Sequence, residues 1–158
     1  MGLNDAPLLF NFEVVSSENL KFIPMAVRFN LDRFGLRISL EQWQTLPHED
    51  RALLARFPVE DDSAIEPNFD HALFEMLRTH ANVEPDWFTP EDNPAWRDSG
   101  AVPETVSHQA SLHSLNAPTP DQWAQLDPFR RYVLAKLSRK TASNHDFIPA
   151  MKEFGLAS

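Results

Sequence analysis

Histidines and arginines set among apolar residues are where chemistry would have to come from in this chain. Six histidines are scattered along it; His71 and His80 stand nine positions apart, and His108 and His113 five. A metal held on one helix face wants two imidazoles at i and i+4, and neither pair has that spacing. No His-Glu-x-x-His and no Gly-x-Ser-x-Gly occurs, and no pair of carboxylates stands out for acid–base work. Cysteine is absent, which removes disulfides, thiolate zinc, iron–sulfur ligation and a thiol nucleophile together. Asp70 and Glu75 could set an acid one turn from His71, but such a trio is also what a solvated helix face looks like. His145 and Asp146 suit helix entry. We therefore expect no catalytic residues, no bound metal and no cofactor.

Two arginines carry more information. Arg51 and Arg131 each fall inside an apolar helical segment. A guanidinium in such a place either closes an ion pair within the fold, with Glu41 and Asp121 as its natural partners, or meets an anion or a partner protein. A second signal is local. Arg130, Arg131, Lys136, Arg139 and Lys140 are five of the 14 basic residues, gathered within eleven positions. Bases in the last turns of a helix complement its dipole, which covers Lys136, Arg139 and Lys140 but not Arg130 and Arg131. The alternative is an electropositive surface of Arg130, Lys136, Arg139 and Lys140 that docks an acidic partner or a phosphate.

The elements that must position these residues repeat. Ser39, Glu41, Gln42, Trp43 and Leu46 lie over Thr119, Asp121, Gln122, Trp123 and Leu126 at a constant offset of 80 residues. Arg51 then lies over Arg131, Leu54 over Leu134, and Ala55 over Ala135. A hydroxyl followed three residues later by Gln is a capping box, so each copy predicts a helix starting at Ser39 or Thr119. Trp and Leu at i and i+3 share a face, and a repeated pair of this kind is better read as core than as a ligand-stacking platform. Pro47 and the Asp127–Pro128 step open the next helix in each copy. Earlier helices are expected over 24–34, ending at Gly35, and over 103–114. Later ones are expected over 64–81 and from Phe147 to Phe154.

The resulting expectation is an all-α protein of two tandem pseudo-repeats, each of about four short helices, packed as one globule. The repeats span approximately 17–81 and 102–155 within a single helical domain, 1–158. Residues 82–101, rich in Pro, Asp and Asn, read as a linker whose Trp87, Phe88 and Trp96 pack on the body. Leu8–Val15 is the one strand candidate; with no evident partner, it is expected to be an extended N-terminal arm.

Composition bounds the class. With 42% hydrophobic residues, 12 Phe and 4 Trp in 158 residues, a core is available without staples. A net charge of −9 argues against nucleic acid as a partner. No apolar run reaches the ~20 residues of a membrane span. The first residues show no basic region leading into an apolar one, so a cytoplasmic location is expected.

Four blocks, Phe22 to Asp32, Gly35 to Trp43, Arg131 to Arg139 and Asn144 to Gly155, resemble the nitrate reductase-associated protein family. The resemblance runs from about Phe10 to Gly155. Members of that family often carry Cys where Phe22 and Phe34 stand and a basic, amide-rich stretch where residues 141–144 stand. It implies a non-catalytic accessory role for assimilatory nitrate reductase, in activity or in molybdenum-cofactor-related maturation. The partner would be the reductase or its maturation factors. A second possibility, from the residues alone, is an uncharacterised helical enzyme or small-ligand binder with a pocket at the seam between the repeats.

Overall fold

The computed structural model describes residues 3–14, 18–60, 68–139 and 146–157. They are mostly helical, and the chain divides into two compact units, Met1–Pro90 and Glu91–Ser158. The boundary falls inside the stretch read as a linker.

In the first unit, α1 (Asn11–Val14) and a 3-10 turn (Glu18–Leu20) precede α2 (Met25–Phe34), β1 (Leu36–Arg37), α3 (Leu40–Thr45), α4 (His48–Leu54), α5 (Phe69–His80) and β2 (Asp86–Trp87). Gly35 ends α2 in the left-handed region at φ 70°, where its N–H reaches back to the Asp32 carbonyl. The capping box at Ser39 closes in both directions. Gln42 N–H donates to Ser39 Oγ at 3.0 Å, and Ser39 N–H donates to Gln42 Oε1 at 2.8 Å. Buried Val27, Leu31, Leu36, Trp43, Leu54, Phe57, Phe69, Leu73 and Leu77 form the core of this unit.

Three expectations are corrected here. The arm expected over Leu8–Val15 does not run extended throughout: residues 3–10 are without regular structure, Asn11–Val14 is a single helical turn, and Val15 lies outside the described residues. The cause is Glu13, a buried carboxylate that accepts from Phe10 N–H at 2.9 Å and from Met25 N–H at 2.8 Å, so that the chain turns there. Phe10 and Phe12, whose two-residue spacing suggested pleating, instead stack on each other at 5.5 Å. The segment before the turn is pinned to the end of α4 by Asn4 N–H to Arg56 O and Leu8 N–H to Ala55 O. The strands that do form are elsewhere. β1 and β2 pair antiparallel, Leu36 opposite Trp87 and Arg37 opposite Asp86. Finally, Leu46 does not share a helix face with Trp43, because it is the extended residue that ends α3; Leu126 stands likewise after α7.

In the second unit, a 3-10 turn (Ala95–Arg97) leads to α6 (Glu104–Leu112), α7 (Pro120–Gln125), α8 (Pro128–Ser138) and α9 (Phe147–Glu153). Thr119 and Gln122 close the same reciprocal capping box, at 2.9 and 3.1 Å. Asp127 caps α8 by accepting from Arg130 N–H at 2.8 Å, and Pro128 opens that helix. α8 is the centre of the unit, packed by α6, α9 and the 3-10 turn. Its buried residues are Phe129, Arg131, Tyr132, Val133, Leu134, Ala135, Leu137 and Ser138, wider than the single stripe that spacing alone predicts.

Residues 82–101 are divided between the units. Asp86–Trp87 completes the ladder of the first, while Trp96 packs edge-on against Tyr132 in the second, ring centroids 5.8 Å apart. The start of the predicted 64–81 helix lies outside the described residues.

Candidate functional site

Arg131 is 7% exposed, so its charge is largely removed from water. Nε donates to the Trp96 carbonyl at 3.0 Å and Nη1 to the Leu126 carbonyl at 2.7 Å. Leu126 ends α7, and Trp96 belongs to the 3-10 turn. A cation placed on such chain ends meets carbonyls that no helical N–H uses, with the negative end of the backbone dipoles behind them. In the first unit, Arg51 Nη1 donates to the Leu20 carbonyl at 2.8 Å, again the end of a 3-10 turn. The expected partners, Glu41 and Asp121, are thus corrected: backbone carbonyls take both guanidiniums. Helix ends offer fixed acceptors, and a carbonyl needs no second buried charge to be desolvated.

Both repeated tryptophans are fully buried, and each uses its indole N–H on the same kind of acceptor. Trp43 Nε1 donates to Leu20 O at 2.8 Å, the carbonyl that Arg51 also reaches. Trp123 Nε1 donates to the carbonyl of Asp98, the residue that ends the second unit's 3-10 turn, at 2.9 Å.

The basic residues of α8 are spread rather than gathered. Arg130 sits in the first turn, with Nη1 2.6 Å from Asp127 Oδ2 and its guanidinium 5.6 Å from the Phe154 ring centre. Arg139 caps the far end, with Nη2 3.2 Å from Glu91 Oε1. Nine positions put these two about 14 Å apart along the axis and half a turn round it. Lys136, half-buried, is at i and i+3 with Arg139 and shares its side of the helix. Lys140 lies outside the described residues.

The acid–imidazole readings resolve into local structure. Asp70 Oδ1 accepts the backbone N–H of His71, and Glu75 pairs with Arg78 at 3.6 Å. His80 Nε2 lies 3.0 Å from Asp50 Oδ2, a contact between α5 and α4 that the spacing did not suggest. Gln109 Nε2 meets His113 Nε2 at 3.1 Å one turn on, again within one helix end. Asp146 stands at the N-cap of α9 without a side-chain cap bond; His145 is outside the described residues. Among the described residues, no three His, Asp or Glu side chains gather where they could hold a metal ion. None of the described helices is long and apolar enough to cross a membrane.

One surface feature escaped the sequence reading. Trp87, expected to pack on the body, is 61% exposed, with Phe74 against its ring at 5.2 Å.

Fold and surface together define a small, mostly helical protein in which Arg51 and Arg131 bond the carbonyls of chain ends. The chain belongs to the conserved nitrate reductase-associated protein family, whose model matches residues 9–154. The family's name records an association with nitrate reductase. No curated protein and no solved structure matches the chain.

Proposed function

We propose that this chain is a cytoplasmic, non-catalytic accessory protein of assimilatory nitrate reductase, acting through protein–protein contacts on the enzyme's activity or on its molybdenum-cofactor-related maturation. The observation that carries the reading is family membership over residues 9–154. The contact is proposed on the C-terminal end of α8, centred on Lys136 and Arg139 with Lys140 beyond them, and Arg130 at the margin. Arg139 supports it: its exposed pair with Glu91 is of a kind worth about 0–1 kcal/mol, so a partner's carboxylate exchanges into it at little cost.

The test is capture of nitrate reductase from native host cells grown on nitrate and on ammonium, with wild type and the triple variant Lys136→Glu, Arg139→Glu, Lys140→Glu. Recovery of the reductase or its maturation factors on wild type, and loss on the variant at low salt, is the expected result. Equal recovery on both would remove α8 from the contact. Recovery of neither protein on wild type would end the accessory reading.

We also propose that the two units descend from one duplicated motif. Supporting this, each unit places an eight-residue Trp-to-Arg spacing behind a capping box, and in each the Trp indole and the Arg guanidinium donate to carbonyls of a preceding 3-10 turn. Exchanging residues 39–46 with 119–126 should leave a folded chain. Loss of the cooperative melting transition would count against common descent.

A further inference from the structure

Trp87 stands exposed on a segment whose backbone is held on both sides. β2 is fixed against β1, and just past it Phe88 N–H donates to the Gly35 carbonyl at 2.9 Å. The Phe88 carbonyl comes so near Gly35 that a Cβ there would stand 2.3 Å from it, closer than any side chain tolerates. Arg37 lies over the Phe88 ring at 5.0 Å and secures the other side of the ladder. The indole is therefore carried on a clamped segment, and ordering it on binding costs little further entropy. Trp43 and Trp123 spend their N–H groups on carbonyls, whereas Trp87 Nε1–H makes no hydrogen bond with any described residue. An exposed, pre-ordered Trp with an unused donor and an aromatic neighbour has the character of a binding hot spot.

Charge says what it meets. Asp70 and Arg78 lie one helical turn to either side of Phe74 on α5. Arg78 is matched twice, by Glu75 at 3.6 Å and Glu84 at 3.8 Å, so that with Asp70 the charges beside Phe74 along the chain sum to acid. The whole first unit follows suit, with fifteen acids against seven bases in residues 1–90, while residues 91–158 have eight against seven.

We infer that Trp87 and Phe74 anchor a docking surface for a basic protein segment, one that sets an apolar side chain on the two rings with lysine or arginine beside it and offers a backbone carbonyl to Trp87 Nε1–H. The inference stands on the first unit alone and is independent of the α8 contact proposed above.

The test uses the full chain and three labelled synthetic peptides, read by fluorescence anisotropy. One carries Leu-Phe flanked by Lys and Arg, one the same pair flanked by Glu, and one the same bases around Ser-Ser. The first should bind, and the other two should bind about tenfold more weakly or not at all. Trp87→Ala should lose about tenfold for the first peptide, with Trp87→Phe keeping most of the affinity. Glu75→Lys with Glu84→Lys should weaken it several-fold and flatten its salt dependence. Melting curves accompany each variant; should Trp87→Ala not fold, the double Lys variant, at two exposed positions, decides alone. Binding of no peptide by wild type, equal binding of the Glu-flanked peptide, or an unchanged affinity in the double Lys variant or a folded Trp87→Ala overturns the inference. So does a dimer in sedimentation equilibrium that Trp87→Ala dissolves, because the occupant is then a second copy.

Discussion

Arg51 and Arg131 occupy corresponding places eight residues after a buried Trp, yet losing them should not cost the same. Arg131 donates to both the Trp96 and the Leu126 carbonyls. Its removal takes a charged donor from each, and Arg131→Ala should lower stability by about 2–3 kcal/mol. Thermal melting should fall by roughly 5–10 °C in a chain of this size. Arg51 shares the Leu20 carbonyl with the Trp43 indole, and its own Nε is buried without a partner among the described residues. In Arg51→Ala the carbonyl keeps Trp43 and the orphan donor disappears, so the loss should stay near ~1 kcal/mol. Equal losses in the two variants would mean that packing of the alkyl stems, not the carbonyl bonds, sets the cost. The chain's letters marked both arginines as unusual but not their partners. A carbonyl has no letter of its own, whereas an acid does.

At the scale of elements, what was legible was what is local. The capping boxes at Ser39 and Thr119, the Asp127 cap and the Gly35 stop each involve residues within one turn, and their letters suffice. Ser39→Ala and Thr119→Ala should each cost about 1 kcal/mol, visible as a melting shift of roughly 2–4 °C. A shift in only one would mean that the other six-residue helix is held by its Trp instead. The β1–β2 ladder was not legible, because it joins two dipeptides fifty positions apart, too short to show a period. A glycine after an apolar run, as at Gly35, signals a helix stop and nothing more. Its second duty, admitting the Phe88 carbonyl, belongs to a residue far along the chain. Gly35→Ala meets both a positive φ and that carbonyl, and should cost about 2 kcal/mol or more. The signature distinguishing it from an ordinary cap loss is faster amide exchange at Phe88, whose bond to Gly35 opens first. Unchanged exchange there would separate the glycine from the ladder.

For the molecule as a whole, the two proposed surfaces differ in sign, and that makes them separable. The rings of Trp87 and Phe74 sit in the unit that carries most of the acid, while Lys136 and Arg139 sit in the unit where the charges nearly balance. Each surface is proposed on its own residues, so each should respond first to its own reversals. The Lys136→Glu, Arg139→Glu, Lys140→Glu variant leaves eleven acids against four bases in residues 91–158. It should lose nitrate reductase in capture while binding the basic Leu-Phe peptide as wild type does. Trp87→Ala should lose the peptide. What it does to capture of the reductase then decides how the surfaces work together. Intact capture means that the first unit serves a different, basic partner, and the chain joins two proteins. Capture lost in both variants means that one reductase engages both surfaces. Two modest contacts would then combine, and affinity should fall by far more in the combined variant than either contact alone supplies. If the triple reversal instead tightens peptide binding well beyond wild type, the charges act through the net field of the whole chain, and neither surface is a separate site.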